Sequence, residues 1–417
     1  MEVEVPLVRP FAGLRPAPAY AAEVAAPPYD VLTSEEARVR ASGKPWSFLR
    51  VSRAEIDLAP GTDPHAPEVY AKAAENFQRM LSAGVLQRDP VPCFYAYRLI
   101  MGSHSQTGIV VAASIAAYAA DRIRKHELTR PDKEDDRVRQ IEALNAQTGP
   151  VLLAHPPRPE LERTLTQVSA QAPVIDVAAD TGVRHSLWVI DDHDAIAEIV
   201  RIFEAMPALY IADGHHRSAA AARVAAARRR ANPGHTGEES YNFFLAVAFA
   251  HHRMRILPYH RVVRDLNGMG HEAFLARLRE RFEVQPSGEP VAPQRRGEFG
   301  LYLARSWHRL SMRPQWMPAD DPVARLDVSL LADHVLGPLL GIHDARRDER
   351  IDFVGGIRGL QELERRVDSG EMACAFSLNA TRMEDLMAVA DAHRIMPPKS
   401  TWFEPKLADG LVSHLLD

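Results

Sequence analysis

The 417-residue chain is poor in cysteine. Its two cysteines, Cys93 and Cys374, lie far apart and lack the spacing of a zinc site. A single disulfide would be a weak framework for so long a chain, so the cysteine content argues for a reducing compartment. An excess of one charge is also missing, because 50 Lys and Arg stand against 55 Asp and Glu. We therefore expect neither nucleic acid nor a membrane as a partner.

Long apolar runs are missing as well. The longest extends from Gly108 to Ala120, short of the roughly 18 to 20 residues that cross a bilayer, and we interpret it as a buried strand. The first residues carry acid where a secretory signal would carry base. These absences predict a cytoplasmic location.

Hydrophobic residues make up 46% of the chain and charged residues 25%, which is typical of a folded, water-soluble protein. At roughly 150 residues per domain, the length allows two or three domains. We draw approximate boundaries at 1–105, 106–264 and 265–417, although the three regions can also form one compact unit.

Strand and helix patterns alternate along the chain and predict an α/β (α+β) fold. The segments 95–101 and 108–118 predict a β-hairpin, because a polar turn joins two apolar runs. Thr129 followed by Pro131 predicts a helix with Thr129 as its N-cap, ending near Asn145. Further along, 187–190 and 208–212 predict strands around a helix at 194–205.

The clearest local motif follows the strand at 208–212 and reads Asp213-Gly214-His215-His216-Arg217, before an alanine-rich helix that ends near Arg230. A glycine between strand and helix lets backbone N–H groups approach an anion, and the helix N-terminus adds positive potential. Arg217 can add a bidentate contact and the histidines can donate hydrogen bonds or shuttle protons. The motif predicts a phosphate site, but it also fits a plain strand-to-helix connection with a surface arginine.

A second motif, His126-Glu127-Leu128-Thr129, comes directly before the helix predicted at 129–145. A carboxylate at this point lies at the open end of a sheet, where ligands bind in α/β folds, and it can act as a base. The alternative is that the glutamate only stabilises the helix through its dipole. Arg130 stands where a zinc protease has its second histidine, so no metal ligands are assigned.

Five motifs in sequence order resemble the domain of unknown function 1015 family, and the resemblance spans nearly the whole chain. The motifs are Pro27-Pro28-Tyr29-Asp30-Val31, His126-Glu127-Leu128-Thr129 with Asp136-Arg137, Ile211 to Arg217, Leu257 to Arg261, and Met396 to Lys406.

The Asp-Gly-His-His-Arg segment is in turn similar to the phosphate-binding box of the ParB/sulfiredoxin-like superfamily, which includes the free serine kinases. This implies a ParB/sulfiredoxin-like core with large insertions and additional N- and C-terminal α/β elements. A sulfiredoxin mechanism needs a cysteine where this chain has His215, and a ParB clamp needs a basic DNA-binding segment that the chain lacks.

The resemblance implies roles for individual residues. Glu127 becomes the general base, with His126 and Asp213 as further catalytic residues. The implied phosphate and substrate ligands are Gly214, His215, His216, Arg217, Arg137, Tyr29, Asp30, Lys399 and Ser400. Lys406 is either a further phosphate contact or a surface residue, and Tyr29 and Asp30 either line the pocket or pack beneath it. Roughly ninety residues separate the two main motifs, so the fold must bring them together.

The implied activity is the Mg²⁺-dependent phosphorylation of free L-serine to O-phospho-L-serine. The phosphoryl donor is ATP, ADP or pyrophosphate, and the absence of a recognisable adenine pocket favours pyrophosphate. Two alternatives stay open: a hydrolase of phosphoserine or another phosphomonoester, and a non-enzymatic nucleotide-binding regulatory protein.

Overall fold

The computed structural model describes residues 6–417, which fold into two compact units. Unit 1 contains the described residues up to Met254 together with Pro405–Asp417, and unit 2 is Arg255–Glu404. The approximate boundaries drawn from the sequence, at 105/106 and 264/265, stay a prediction.

Unit 1 is a mixed α/β structure with strands numbered in chain order. The strands are β1 (Val8–Arg9), β2 (Leu14–Pro16), β3 (Leu86–Arg88), β4 (Phe94–Met101), β5 (His104–Ser114), β6 (Ile123–Arg124), β7 (Ala146–Gln147), β8 (Val151–His155), β9 (Ile175–Ala178), β10 (Val183–Ile190), β11 (Leu209–Asp213), β12 (Phe243–Ala250) and β21 (His414–Leu415). The helices are α1 (Ala21–Val24), α2 (Ser34–Ala41), α3 (Leu49–Ser52), α4 (Pro67–Ser82), α5 (Ile115–Ala119), α6 (Pro131–Leu144), α7 (Pro159–Val168), α8 (His193–Glu204) and α9 (His215–Ala231).

The main sheet of unit 1 has the strand order β6-β11-β8-β12-β5-β4-β10-β9, and β1 pairs with β5. The central strand β12 is buried along its whole length, as expected of a strand that is covered on both faces. One face packs against α7 and α8 through apolar side chains such as Leu161, Ile199 and Phe203. Helix α9 packs against α6 through Ala220, Val224 and Ile141.

Two short parallel strands at the edge of this sheet position the functional motifs. β6 pairs with β11 in a parallel register that matches Ile123 with Leu209 and Arg124 with Tyr210. Because parallel neighbours end at the same edge of a sheet, the segment after β6 and the segment after β11 leave the sheet side by side.

Most predicted elements of unit 1 are confirmed, with changes at their ends. The hairpin of β4 and β5 is present, but β5 ends at Ser114 and not at Tyr118, because the Ser114 hydroxyl accepts the Ala117 N–H and begins α5. The N-cap of α6 is Arg130 and not Thr129, because the Thr129 hydroxyl donates instead to the carboxylate of Glu134.

Unit 2 contains β13 (Arg255–Leu257), β14 (Tyr259–Val263), β15 (Phe282–Ser287), β16 (Glu298–Leu303), β17 (Ser306–Met312), β18 (Ile351–Gly355), β19 (Cys374–Leu378), β20 (Trp402–Glu404), α10 (His271–Leu278), α11 (Asp327–Leu331), α12 (Gln361–Asp368) and α13 (Met383–Asp391). Six strands form an antiparallel sheet in the order β15-β17-β16-β19-β14-β18. Its core includes Val262, Trp307 and Leu363.

The mixed α/β class is thus confirmed, and the ParB/sulfiredoxin-like core stays a prediction. In the part of the chain that the structure describes, no helix combines the length and the apolar character that a bilayer crossing requires.

Candidate functional site

The turn between β11 and α9 depends on a glycine. Gly214 is the N-cap of α9 and has φ 100° and ψ 27°, a left-handed conformation that costs other residues energy. A side chain at this position would also meet Arg217, because an added Cβ would lie 3.0 Å from the Arg217 Nε. Glycine at position 214 therefore allows both the left-handed backbone turn and the close approach of the Arg217 guanidinium to that turn.

The two motifs that the sequence singled out lie in direct contact. The backbone N–H of His126 donates to Nε2 of His215 at 3.4 Å, and the two imidazole rings are nearly perpendicular with centroids 4.5 Å apart. The carboxylate of Glu127 reaches to 3.7 Å from Nδ1 of His215. His126 and His215 are buried, whereas 46% of the Glu127 side chain is exposed. The site therefore presents one accessible carboxylate above two buried imidazoles.

The contacts of His215 define its tautomer. Because Nε2 accepts a hydrogen bond from His126, the proton of a neutral ring is assigned to Nδ1, on the side of Glu127. Burial lowers the pKa of His215 well below its usual value, and the neighbouring His126 lowers it further. Burial likewise lowers the pKa of His126 to about 4, although a hydrogen bond to the Ile211 carbonyl opposes the shift. Both rings are therefore neutral at physiological pH.

Asp213, the last residue of β11, is held by two cations. Lys406 donates to its carboxylate at 3.3 Å, and the Arg217 guanidinium lies 3.7 Å away. Burial alone would raise the pKa of Asp213, but Lys406 and Arg217 outweigh burial and hold the pKa below its usual range. An ionised Asp213 therefore balances part of the positive charge of this corner.

A cleft lies beside Arg217 within unit 1, and its lining includes Arg137, Gln147 and Asp409. Arg217 donates to the carbonyl of Pro150. Gly149 makes room for this side chain, since an added Cβ would lie 3.3 Å from the Arg217 Cδ. Across the cleft, the Arg137 guanidinium stacks 3.8 Å above the ring of Tyr29. Two guanidinium groups thus line one cleft.

The Arg137 guanidinium is fixed from behind by a hydrogen-bonded carboxylate. Arg137 Nε donates to Asp136 at 2.8 Å, and Asp136 also accepts from the Tyr70 hydroxyl at 2.7 Å. His65 contacts the same carboxylate at 3.0 Å. These partners leave Arg137 little freedom to change its orientation.

Asp409 is a residue of the cleft that sequence reasoning missed. Its side chain is buried, with only 2% of the residue exposed, and its backbone pairs with that of Ala26. Burial raises the pKa of Asp409 to about 7, although Arg217 opposes the shift. Its position in the cleft depends on the return of the chain end to unit 1, and no local sequence signal indicates that return.

The structure distributes the remaining predicted residues between the two units. In unit 1, Nε2 of His216 accepts the Arg130 N–H at 3.1 Å, and Asp30 is exposed. In unit 2, Lys399 lies 5.7 Å from the centroid of the Tyr259 ring, and the buried Ser400 donates to the Pro397 carbonyl at 2.6 Å. The roles assigned to these residues stay predictions.

One cluster of the described residues has the composition of a metal site. Potential ligand atoms of His126, Glu127 and His215 all lie within 4.8 Å of one another. Mg²⁺, the ion predicted from the sequence, prefers oxygen ligands, and imidazole nitrogen suits Zn²⁺ and other transition metals. Two imidazoles and one carboxylate therefore do not fit a resident Mg²⁺ ion.

Comparisons with known proteins identify a family and several similar solved structures. A family model described as a protein of unknown function (DUF1015) matches residues 8–329. No curated protein matches the chain.

Solved structures similar to this chain include a conserved hypothetical protein from Pyrococcus furiosus, with 12% identity over 74% of this chain and 96% of the other, and a TM-score of 0.34. A free serine kinase in complex with AMP is 14% identical over 70% of this chain and 86% of the kinase, with a TM-score of 0.34. A variant free serine kinase in complex with ADP is 15% identical over 73% of this chain and 90% of the other, again with a TM-score of 0.34. TM-scores of 0.34 support no conclusion about the function of this chain.

Proposed function

The chain belongs to the family of proteins of unknown function DUF1015, and from this premise we propose that it phosphorylates free L-serine to O-phospho-L-serine. The observation that carries the proposal is the meeting of Glu127 with the turn at 213–217, where Glu127 lies 3.7 Å from His215. Phosphoryl transfer requires mainly a positioned hydroxyl and a cationic environment for the phosphate oxygens. Glu127 offers a carboxylate that can position the hydroxyl, and the turn at 213–217 offers the cationic environment.

Glu127 is the proposed general base. The serine hydroxyl oxygen forms a bond to the phosphorus of the donor, the bond from that phosphorus to the leaving phosphate breaks, and the hydroxyl proton passes to the Glu127 carboxylate. An accessible carboxylate suits this role, and 46% of the side chain is exposed. The Nδ1 proton of His215 faces the same carboxylate and orients it as a positioning group.

The N-terminus of α9 is the proposed phosphate site. The first N–H groups of a helix have no partner within the helix and attract anions, and Gly214 allows an anion to approach them closely. Arg217 and His216 supply charge and hydrogen bonds from the same turn. Mg²⁺ enters this proposal only as a counter-ion of the donor phosphates, and therefore as part of the substrate.

The cleft beside Arg217 is the proposed serine site. A free amino acid carries a carboxylate and an ammonium group. The cleft offers Arg137 for the first, and Asp409, whose pKa is raised to about 7 by burial, binds the second in its ionised form. Glu127 does not itself line this cleft, so the proposal requires the serine hydroxyl to reach beyond the cleft to the carboxylate. Pyrophosphate is the favoured donor, with ATP and ADP as the alternatives.

A donor screen tests this proposal directly. The purified protein is incubated with L-serine, Mg²⁺ and either pyrophosphate, ATP or ADP, and phosphoserine is measured by mass spectrometry. Phosphoserine formation with at least one donor is expected. The absence of phosphoserine with all three donors refutes the proposal, and release of phosphate from added phosphoserine would assign a hydrolase instead.

Replacement of Glu127 by glutamine tests the assigned base. Loss of a general base lowers the rate by about 10²-fold or more, so Glu127→Gln should lose that much turnover while the protein stays folded. Glu142→Gln is the matched control, because Glu142 is an exposed glutamate on α6 and its replacement should leave turnover unchanged. Equal turnover of Glu127→Gln and the wild type would remove Glu127 from the reaction.

A further inference from the structure

We propose that His126, Glu127 and His215 form a binding site for a divalent transition-metal ion of the Zn²⁺ class. The proposal concerns binding alone and does not rest on the proposed phosphoryl transfer. The donor set of two imidazoles and one carboxylate is one that three-ligand zinc sites use, with a fourth position left open to water or another small ligand.

The fold brings the three ligands together independently of any ion. One residue, Lys125, separates β6 from His126 and Glu127, and one residue, Gly214, separates β11 from His215. The parallel pairing of these strands holds the ligand atoms within 4.8 Å of one another. Ligands bound to one Zn²⁺ ion at about 2.0–2.2 Å are about 3–4 Å apart, so small side-chain rotations are sufficient to close the site.

A buried nitrogen without a partner gives the second, independent indication. His126 is 2% exposed, and among the residues that the structure describes none forms a hydrogen bond with its Nδ1. The hydrogen bond from this ring to the Ile211 carbonyl therefore involves Nε2, which fixes the proton there and leaves the lone pair on Nδ1. A metal-ligating histidine is typically held in this way, with its second nitrogen donating to a backbone carbonyl.

The nitrogen atoms that face the site can supply lone pairs. An imidazole binds an ion through a nitrogen lone pair, and the buried Nδ1 of His126 has no hydrogen-bond partner among the described residues. For His215, binding through Nδ1 moves the ring proton to Nε2 and exchanges the 3.4 Å hydrogen bond from His126 for a metal bond. The ring stays neutral in this exchange, but its Nε2–H then faces the His126 N–H, so the His215 ring must turn away from that amide when it binds the ion.

Metal binding and general-base catalysis draw on the same carboxylate. An oxygen of Glu127 that binds an ion is a weaker base, so the metal-bound protein should transfer phosphate more slowly than the metal-free protein. The metal would then act as an inhibitor of the proposed reaction, distinct from the Mg²⁺ that accompanies the donor.

Titration with Co²⁺ tests the site without reference to activity. Full-length protein is treated with chelator, dialysed and titrated with Co²⁺, while visible absorption reports the coordination of the ion and calorimetry reports the stoichiometry. One ion per chain is expected, with an absorption spectrum of a four- or five-coordinate site. The same ion should be displaced by Zn²⁺.

Two variants and one control decide between this site and adventitious binding. Glu127→Gln and His126→Gln should each weaken Co²⁺ binding by about tenfold or more, a loss at least as large as that from replacing residues that only orient metal ligands. His193→Gln should bind like the wild type, because the His193 side chain is 96% exposed and lies on α8. Since Glu127 is half exposed, Glu127→Gln keeps the test valid even where the buried His126→Gln does not fold.

The outcomes separate the two proposals. If Glu127→Gln binds Co²⁺ as tightly as the wild type does, or if the wild type binds no Co²⁺, the metal site is overturned. Either result leaves the proposed phosphotransferase activity untouched. Metal binding without phosphoserine formation by the metal-free protein overturns the proposed function and leaves the metal site in place.

Discussion

Replacement of Asp409 by asparagine should remove a pH dependence of stability that arises in the cleft. Asparagine resembles a protonated aspartate in shape and keeps an oxygen for the hydrogen bond from the Tyr29 backbone. Burial raises the pKa of Asp409 from 3.8 to about 7. The folded protein therefore holds a proton on this group at pH values where the unfolded chain has released it.

The sign and size follow from linkage. Because the folded state binds more protons, the contribution of Asp409 to the free energy of unfolding is fully present below the unfolded pKa and is lost as the pH rises to about 7. The full difference corresponds to about 4 kcal/mol at 1.36 kcal/mol per pKa unit. Between about pH 5.5 and about pH 8, the loss is about 2 kcal/mol.

Urea-induced unfolding at these two pH values measures the effect. The wild type should lose about 2 kcal/mol more than Asp409→Asn on going from about pH 5.5 to about pH 8, so the variant should be the more stable protein at the higher pH. Asp194→Asn is the control, since the Asp194 carboxylate is fully exposed, and its pH dependence should match that of the wild type. An Asp409→Asn variant with the pH dependence of the wild type would refute the assignment of a buried, protonated carboxyl group to the cleft.

Two further replacements probe the turn at the start of α9. Gly214→Ala should lower the free energy of unfolding by about 1–2 kcal/mol, the cost of a left-handed backbone for a residue with a Cβ. It should also weaken binding of the proposed phosphoryl donor, because Arg217 must move. An unchanged free energy of unfolding in urea would contradict the backbone strain assigned to this position. Lys406→Met should cost about 0.5–1 kcal/mol through the loss of the partly exposed ion pair with Asp213. This difference from the wild type should shrink in high salt, which urea unfolding at two salt concentrations would measure.

The local elements of unit 1 could be predicted from the sequence, because each has its own signal. The hairpin of β4 and β5 follows from two apolar runs around a polar turn, and α9 follows from its alanine content and the glycine before it. The sequence pattern places the end of β5 at Tyr118, four residues beyond its end at Ser114 in the structure. The apolar run continues through α5, and a run of buried side chains does not distinguish a strand from a short buried helix.

The candidate site could be predicted only in part. His126, Glu127 and the turn at 213–217 carry recognisable motifs, and the requirement that they meet in space agrees with the 3.7 Å approach of Glu127 to His215. The parallel pairing of β6 with β11, which causes the approach, involves only two residue pairs. So short a strand has no periodicity that a sequence reveals.

Asp409 shows why the rest of the site could not be predicted. A carboxylate near the end of a chain is ordinarily exposed, and neither its burial nor its neighbours follow from adjacent residues. Its environment is made by Arg217 and Arg137, which are distant in sequence. Long-range contacts of this kind are set by the fold and not by local patterns.

The return of residues 405–417 to unit 1 has a consequence for biosynthesis. A ribosome completes the 150 residues of unit 2 before it makes Lys406 and Asp409. A nascent chain that stalls before residue 405 therefore has the segments 126–129 and 213–217 but lacks the Lys406 cation at Asp213 and one side of the cleft. Prematurely terminated products should therefore lack an intact cleft even when their sheets have formed.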